Sequence, residues 1–392
     1  MIRGIKELDL KDKTVFLRVD FNVPITDGKI TEIHRIESAL PTIRLIMDRA
    51  KKVVIASHLG RPDGKVAAKY SLAPVRVHLE SALNEPVILA PDSAGAEVEK
   101  IVANLSHRVV LLENLRFHKE EETNDPGFAR ALASLADIYV NDAFGAAHRA
   151  HASTAGMAGF FKEKGAGLLM QKELDYLSRV VSYPEQPFVM ILGGAKVSDK
   201  IGVIKNLLPK VSSLLIGGGM AYTFLKAKGI EIGKSLVEND KIALAQELMS
   251  RAADRAVALS LPLDHVTGDA NKNNPAIAET EIPADRVGLD IGPKTIARFA
   301  DEIRRAKMVL WNGPVGLFEL EAYSQGSRML AQTLADNHGR IVSIIAGGDT
   351  VAAVSAVGVE DKITHLSTGG GATLEFLEGR ELPGIKALEE SS

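Results

Sequence analysis

The run Phe188-Val189-Met190-Ile191-Leu192-Gly193-Gly194-Ala195-Lys196-Val197-Ser198-Asp199-Lys200 decides how this chain is read. Five apolar residues predict a buried strand, and the two glycines after it predict a turn whose backbone can approach an anion. Lys196 and Lys200 follow at helical i, i+4 spacing. Glycine-rich breaks after β-like runs recur at residues 214–219, 341–348 and 363–371. One glycine after a strand means little in an α/β protein, but four such loops in one half of a chain favour phosphate held by backbone and a few cations. A complete GxGxxG is absent, as is a Walker A motif; Gly229-Ile230-Glu231-Ile232-Gly233-Lys234-Ser235 has three residues where the P-loop needs four, and reads as a helix-ending loop.

Working outward, short β-branched runs alternate with helical patterns along the whole chain. Strands are expected at 14–19, 52–57, 87–89, 109–112 and 138–140, then at 188–192, 213–216, 308–311, 341–346 and 363–366. Helices are expected at 35–50, 71–83, 198–208, 221–228, 239–258 and 326–337. This alternation predicts α/β architecture with parallel sheets covered by helices on both faces. At 392 residues and 46% hydrophobic the chain is too long for one ordinary domain. An amphipathic pattern over 168–181, punctuated by Tyr183-Pro184-Glu185-Gln186-Pro187, marks the boundary. The expected division is a first domain over 1–167, an interdomain helix and hinge over 168–187, a second domain over 188–377, and a tail over 378–392.

Composition removes several classes of function. A net charge of −3 argues against sequence-independent nucleic-acid binding. The absence of cysteine excludes disulfides, thiolate catalysis and iron–sulfur clusters, and none of the ten histidines stands in an HExxH motif. Residues 1–12 are charged with no long apolar run, and no stretch approaches the ~20 apolar residues of a membrane span. A cytoplasmic protein with neither membrane nor nucleic acid as partner is the expectation.

The first half carries basic residues just after its predicted strands, where open parallel sheets bind ligands. Asp20 and Asn22 follow the first strand, His58 and Arg61 the second, and Arg116 and Arg149 later ones, while Arg35 opens the first helix. Any one of these arginines alone reads as a solvated surface charge. Together they suit a small polyanion, since each planar guanidinium can pair two phosphate or carboxylate oxygens. His58 and His148 read equally as capping or core histidines, and Asp20 and Asn22 as turn caps. In the second half Asp349 and Thr350, after Gly347 and Gly348, stand where a helix should begin. There they serve as an N-cap, as an oxygen ligand for Mg²⁺, or as both. Glu319 reads as a surface acid or as an acceptor from ribose hydroxyls. Two anion sites in two halves point to phosphoryl transfer.

These segments together resemble the phosphoglycerate kinase family. The matching stretches are 18–24, 57–62, 112–118, 141–151, 192–200, 217–226, 311–319, 347–350 and 367–372, in order over nearly the whole chain. The resemblance implies two doubly wound, Rossmann-like domains facing across a cleft and joined by a long helix, working as a monomer. It implies that Asp20, Phe21, Asn22, Arg35, His58, Leu59, Gly60, Arg61, Arg116 and Arg149 hold 3-phosphoglycerate. Gly194, Lys196, Lys200, Gly217, Gly218, Asn312, Glu319, Gly347, Gly348, Asp349 and Thr350 would hold ATP or ADP, with Asp349 on Mg²⁺. Arg35, Lys196 and Lys200 would be catalytic. It further implies that the tail packs back on the first domain. A nicotinamide-dependent dehydrogenase shares the fold class but lacks its glycine fingerprint here, and a non-catalytic phosphometabolite sensor would use the same arginines without turnover.

An acyl phosphate product hydrolyses in water, so this reading requires closure when both substrates bind. Small-angle scattering should show compaction with both ligands present and not with either alone; an unchanged radius of gyration would count against closure.

Overall fold

Strands Thr14–Arg18, Lys52–Ala56, Val109–Leu111 and Ile138–Asn141 are buried along almost their whole length, as expected of strands covered on both faces. The computed structural model describes residues 2–390. The chain divides into two compact units, one running to Asp175 and resumed from Glu381, the other Tyr176–Arg380. The division falls inside the helix Leu168–Ser182.

In the first unit six parallel strands lie in the order Val87–Leu89, Val109–Leu111, Lys52–Ala56, Thr14–Arg18, Ile138–Asn141, Glu163–Ala166. The chain leaves Thr14–Arg18 toward Lys52–Ala56 and leaves Ile138–Asn141 in the opposite direction, toward Glu163–Ala166. The two central strands therefore flank the topological switch point, and at the carboxyl ends of such strands open parallel sheets bind their ligands. Ile36, Ile43 and Ile46 of the helix His34–Arg49 recur at helical spacing and pack on Val15, Leu17, Val53 and Ile55. Near the end of the chain, Gly384 N donates to Ala147 O at 2.8 Å and Ile2 bridges Glu389. Ser391 and Ser392 of the expected tail lie outside the described residues.

The second unit repeats the plan. Its six parallel strands run Ala258–Ser260, Ser213–Ile216, Phe188–Leu192, Met308–Asn312, Val342–Ala346, His365–Leu366. The switch point lies between Phe188–Leu192 and Met308–Asn312, so the opening motif ends there. Trp311, Val309 and Ile345 pack against Phe299 and Ile303 of the helix Pro293–Arg305 and Leu330 and Leu334 of the helix Gln325–Asp336.

Three details differ from the sequence reading. The expected helix over 239–258 is a 3₁₀ turn Asn239–Lys241 and a helix Ile242–Asp254; Ala256 at φ 54° breaks it, and Ala258–Ser260 is an edge strand. An antiparallel sheet of His265–Gly268, Ala276–Ala278 and Val287–Ile291 has no counterpart in the predicted elements, because its strands are short and half-exposed. Lys196 and Lys200 do not share a helix: Ser198–Lys200 is a 3₁₀ turn and the α-helix covers only Ile201–Leu207.

Asp264, fully buried, fastens the antiparallel sheet to the helix Pro293–Arg305. It accepts from Lys294 N at 2.9 Å, Thr295 N at 2.8 Å and Thr295 Oγ1 at 2.7 Å. Asp264→Ala strips these donors of their acceptor and should cost roughly 2–3 kcal/mol. Denaturant unfolding should show that loss while turnover at 25 °C stays unchanged.

Candidate active site

In the first unit the loops at the switch point share one polar network. Asp20 Oδ2 accepts from Arg35 Nη1 at 2.5 Å, and Asp20 Oδ1 accepts from Asn22 N at 3.1 Å. Asn22 Oδ1 accepts from Gly60 N at 2.9 Å, and Gly60 O accepts from Arg116 Nη1 at 2.8 Å. Loops that follow three different strands are thus tied edge to edge. Gly60 stands at φ 61°, and a Cβ there would lie 2.3 Å from the Tyr70 ring, so the turn needs glycine.

Beneath this rim lies Arg18, fully buried at the end of the central strand. Its Nε donates to Ser153 Oγ at 2.7 Å, its Nη1 donates to Val19 O, and its Nη2 lies 3.2 Å from His58 Nδ1. A guanidinium can only donate, so His58 Nδ1 must accept, which leaves its proton on Nε2, 3.9 Å from Asp20 Oδ1. Burial drives the His58 pKa well below its ordinary value, against the pull of Asp20 and with the repulsion of Arg18, Arg116 and Arg35. Burial also works to raise Asp20, but the charges around it outweigh that and hold its carboxyl below its usual range. Since His58 is neutral, Arg35 and Arg18 supply that attraction at pH 7. Ser153 passes the Arg18 contact to Glu121, donating to it from N at 2.9 Å and from Oγ at 2.6 Å.

Arg116 is nearly buried, with Nε 3.4 Å from Glu122 Oε1. Burial lowers its pKa, Glu122 opposes that, and Arg149 and Arg18 add to it. Arg149 Nε donates to His148 Nε2 at 3.2 Å, which makes His148 an acceptor. Arg61 is exposed and forms no hydrogen bond or ion pair among the described residues. Phe21 and Leu59 have their side chains in the hydrophobic core. Phe21 N donates to Ser57 Oγ, and both backbone groups of Leu59 are taken by Asn114, so Leu59 has neither side chain nor amide to give a ligand.

In the second unit the glycine loops correct part of the sequence reading. The amides expected to face an anion are already paired: Gly193 N with Asn312 O at 3.0 Å, Gly194 N with Pro314 O at 2.8 Å, Gly217 N with Leu192 O at 2.8 Å, Gly218 N with Val315 O at 2.9 Å. These glycines let loops touch: a Cβ on Gly193 would lie 2.1 Å from Pro314 O, and one on Gly218 2.7 Å from Gly194 N. The amides without such a partner include those of Gly348, Asp349 and Thr350. These three open the helix Gly348–Ser355 before its first backbone bond, from Val351 N to Gly347 O.

Lys200 Nζ donates to Asn312 Oδ1, Asn312 Nδ2 donates to Ala346 O at 2.7 Å, and Gly313 N donates to Thr350 Oγ1 at 2.7 Å. Lys200, the ends of strands Met308–Asn312 and Val342–Ala346, and the start of the helix Gly348–Ser355 are therefore one assembly. Burial lowers the Lys200 pKa while Asp199 and Asp349 hold it up. Lys196, Glu319 and Asp349 are exposed and make no hydrogen bond or ion pair among the described residues.

Sequence reasoning missed Arg18, Ser153, Glu121 and Asn114, and, in the second unit, Glu238. Arg18 carried a signal, a cation closing an otherwise apolar strand; the others are polar residues in loops or, for Glu121, in the short helix Lys119–Glu122, distinguished only by what folding brings to them.

The chain matches the family model described as phosphoglycerate kinase over residues 5–380. It is 53% identical to the phosphoglycerate kinase of Koribacter versatilis (strain Ellin345), over 98% of each chain. It is 52% identical to "Phosphoglycerate kinase 3, cytosolic" of Arabidopsis thaliana, over 99% of this chain and 98% of that one. The solved phosphoglycerate kinase of Coxiella burnetii superposes with a TM-score of 0.90 at 43% identity, covering 99% of each chain. That of Pyrococcus horikoshii OT3 superposes with a TM-score of 0.84 at 32% identity, covering 99% of this chain and 98% of that one.

Two site histidines are held neutral. Burial first, and then neighbouring arginines, depress His151 to about 3, and burial holds His58 well below its ordinary value. The unfolded chain takes up these protons near pH 6.5, so the two sites' share of stability falls away as pH drops below that value. An NMR titration should find neither ring titrating between pH 8 and 5.5; a midpoint near 6.5 for either would contradict the network.

Proposed function

The chain belongs to the phosphoglycerate kinase family, glycolytic enzymes that transfer phosphate between ATP or ADP and the carboxyl group of 3-phosphoglycerate, and from that premise we propose how its residues divide the reaction. In the first unit Arg35, Arg61, Arg116 and Arg149 hold the acidic substrate, pairing its phosphate and carboxylate oxygens through their guanidinium forks. Asp20 and Asn22 accept from or donate to its hydroxyl, and His58 supplies the Nε2 proton, while the backbone groups of Phe21 and Gly60, already paired, hold the loops rather than the ligand. In the second unit the nucleotide phosphates lie at the start of the helix Gly348–Ser355, with Lys196 and Lys200 beside them and Glu319 toward the ribose. The observation that supports this reading is that each cluster is drawn from residues that follow the carboxyl ends of inner strands of its sheet, on both sides of the switch point.

Asp349 suits a magnesium ion. It is exposed in the first turn of that helix and unpaired among the described residues, where no cluster of three or more His, Asp or Glu side chains could hold a metal. Mg²⁺ commonly takes one or two carboxylates and completes its shell with phosphate oxygens and water. Once bound with nucleotide it neutralises charge on the phosphates.

The nucleophile is the substrate's own carboxylate, ionised at pH 7, so no general base is needed. The obstacle is like-charge repulsion: two unit charges 4 Å apart repel by about 4 kcal/mol at an effective dielectric near 20. Arg35 offsets this on the acceptor, and Lys196 and Lys200 on the transferring phosphoryl group, where charge spreads over the equatorial oxygens. The same reading makes the working form a cytoplasmic monomer whose partners are small molecules; among the described residues no helix is long and apolar enough to cross a membrane.

A coupled assay with ATP, Mg²⁺ and 3-phosphoglycerate tests the assignment. Arg35→Ala and Lys200→Ala should each lower kcat by about 100-fold or more while barely moving the thermal midpoint. Near-normal turnover in either variant would remove that residue from the transition state.

A further inference from the structure

The turn that carries Lys196 and Lys200 has few bonds of its own. Residues 194–197 are irregular, Ser198–Lys200 is a single 3₁₀ turn, and the helix behind it is short. What holds the turn is one carboxylate from forty residues away. Glu238 Oε2 accepts from Val197 N at 2.5 Å and from Ser198 N at 3.2 Å, and Glu238 Oε1 accepts from Ser198 Oγ at 2.6 Å. Both oxygens are engaged, and both amides belong to the opening of a helical segment, where no carbonyl within the segment can reach them.

Glu238 is itself anchored. Its backbone N donates at 3.1 Å to Thr223 Oγ1, which is buried on the helix Met220–Ala227. That helix starts directly after the next strand-end loop, whose Met220 N donates to Gly194 O at 3.0 Å. Glu238 therefore clamps the lysine turn to a rigid neighbour, fixing its middle while the two lysines project from either end. An ionised carboxylate suits this place, since charge-assisted bonds to amides and hydroxyl are stronger than neutral ones. Its negative charge also lies beside the turn that presents two cations to phosphate.

We propose that Glu238 is a positioning residue for the phosphoryl-transfer step, acting through the lysine turn rather than by touching a substrate. The proposal rests on the assignment of Lys196 and Lys200 above. Misplacing a catalytic group by about 1 Å can cost 10²-fold in rate. The loss should fall on kcat, because the lysines act on charge that develops during transfer.

Steady-state kinetics of Glu238→Ala test this. Removing the carboxylate takes the acceptor from all three donors at once, whereas Glu238→Gln could keep them, its oxygen accepting from both amides and its NH₂ donating to Ser198 Oγ. We expect kcat to fall about 10- to 100-fold with KM for 3-phosphoglycerate unchanged, a smaller fall in Ser198→Ala, and partial recovery in Glu238→Asp. Double-mutant cycles with Lys196→Ala and Lys200→Ala separate positioning from mere structure: non-additive loss of kcat in either cycle supports the proposal, and additive loss in both overturns it. Wild-type kcat in Glu238→Ala, beside a crippled Lys200→Ala, overturns this proposal alone. Full turnover in both lysine variants overturns the lysine assignment, and the role of Glu238 with it. A lowered thermal midpoint with kcat intact leaves Glu238 a structural cap and overturns the proposal equally.

Discussion

Positive charge cannot be concentrated in a protein without something to hold it apart, and the first unit is organised around that constraint. Arg18, Arg35, Arg116 and Arg149 lie close enough to perturb one another or the groups between them. Each is given a partner: Asp20 for Arg35, Glu122 for Arg116, the serine-to-Glu121 relay and a carbonyl for Arg18, and a neutral histidine for Arg149. The fully buried Arg18 has every described contact on an acceptor, as a buried charge requires. It acts from below, orienting His58 and steadying Asp20, while the rim arginines remain nearer the surface. A neutral His58 follows from the same constraint, since a further cation among these would add repulsion without relief.

The second unit is organised around backbone contact instead. Its glycines bring three strand-end loops into backbone contact, and their amides are consumed in doing so. Among the amides that stay unpaired are those at the start of the helix Gly348–Ser355, which the chain enters through Gly347 at φ 93°. Asn312 joins this helix, the central strand and Lys200, so that the lysine's position depends on the packing of the sheet itself. The turn carrying the lysines depends in addition on the carboxylate of Glu238. Both units thus place mobile charged groups on loops and govern them through polar side chains rooted in packed elements.

Much of this was legible beforehand because parallel sheets obey strong rules. Apolar runs such as 188–192 and 213–216 correspond to strands Phe188–Leu192 and Ser213–Ile216 because both faces are covered and nothing polar interrupts them. Asp20, Asn22, Arg35, His58 and Arg116 could be singled out from position alone, since residues after parallel strands converge on one edge. The antiparallel sheet was not legible: its strands are three to five residues long and partly exposed, and alternate too weakly to stand out. The i, i+4 spacing of Lys196 and Lys200 was misleading for a different reason. Spacing predicts a shared helix only where the backbone is helical, and here the chain stays irregular until Ser198.

Taken alone, the order of residues determined that this is an α/β chain of two halves, each with charged groups after its strands and matching one kinase family motif by motif. Those properties are local, written in runs of a few residues whose periodicity and succession survive without coordinates. Only the tertiary structure decided which glycine amides are already paired, which nitrogen of His58 carries its proton, and which distant carboxylate holds the lysine turn. A hydrogen bond depends on the meeting of two atoms within about 3 Å, and for Glu238 and Val197 that meeting is made by the folding of the forty residues between them.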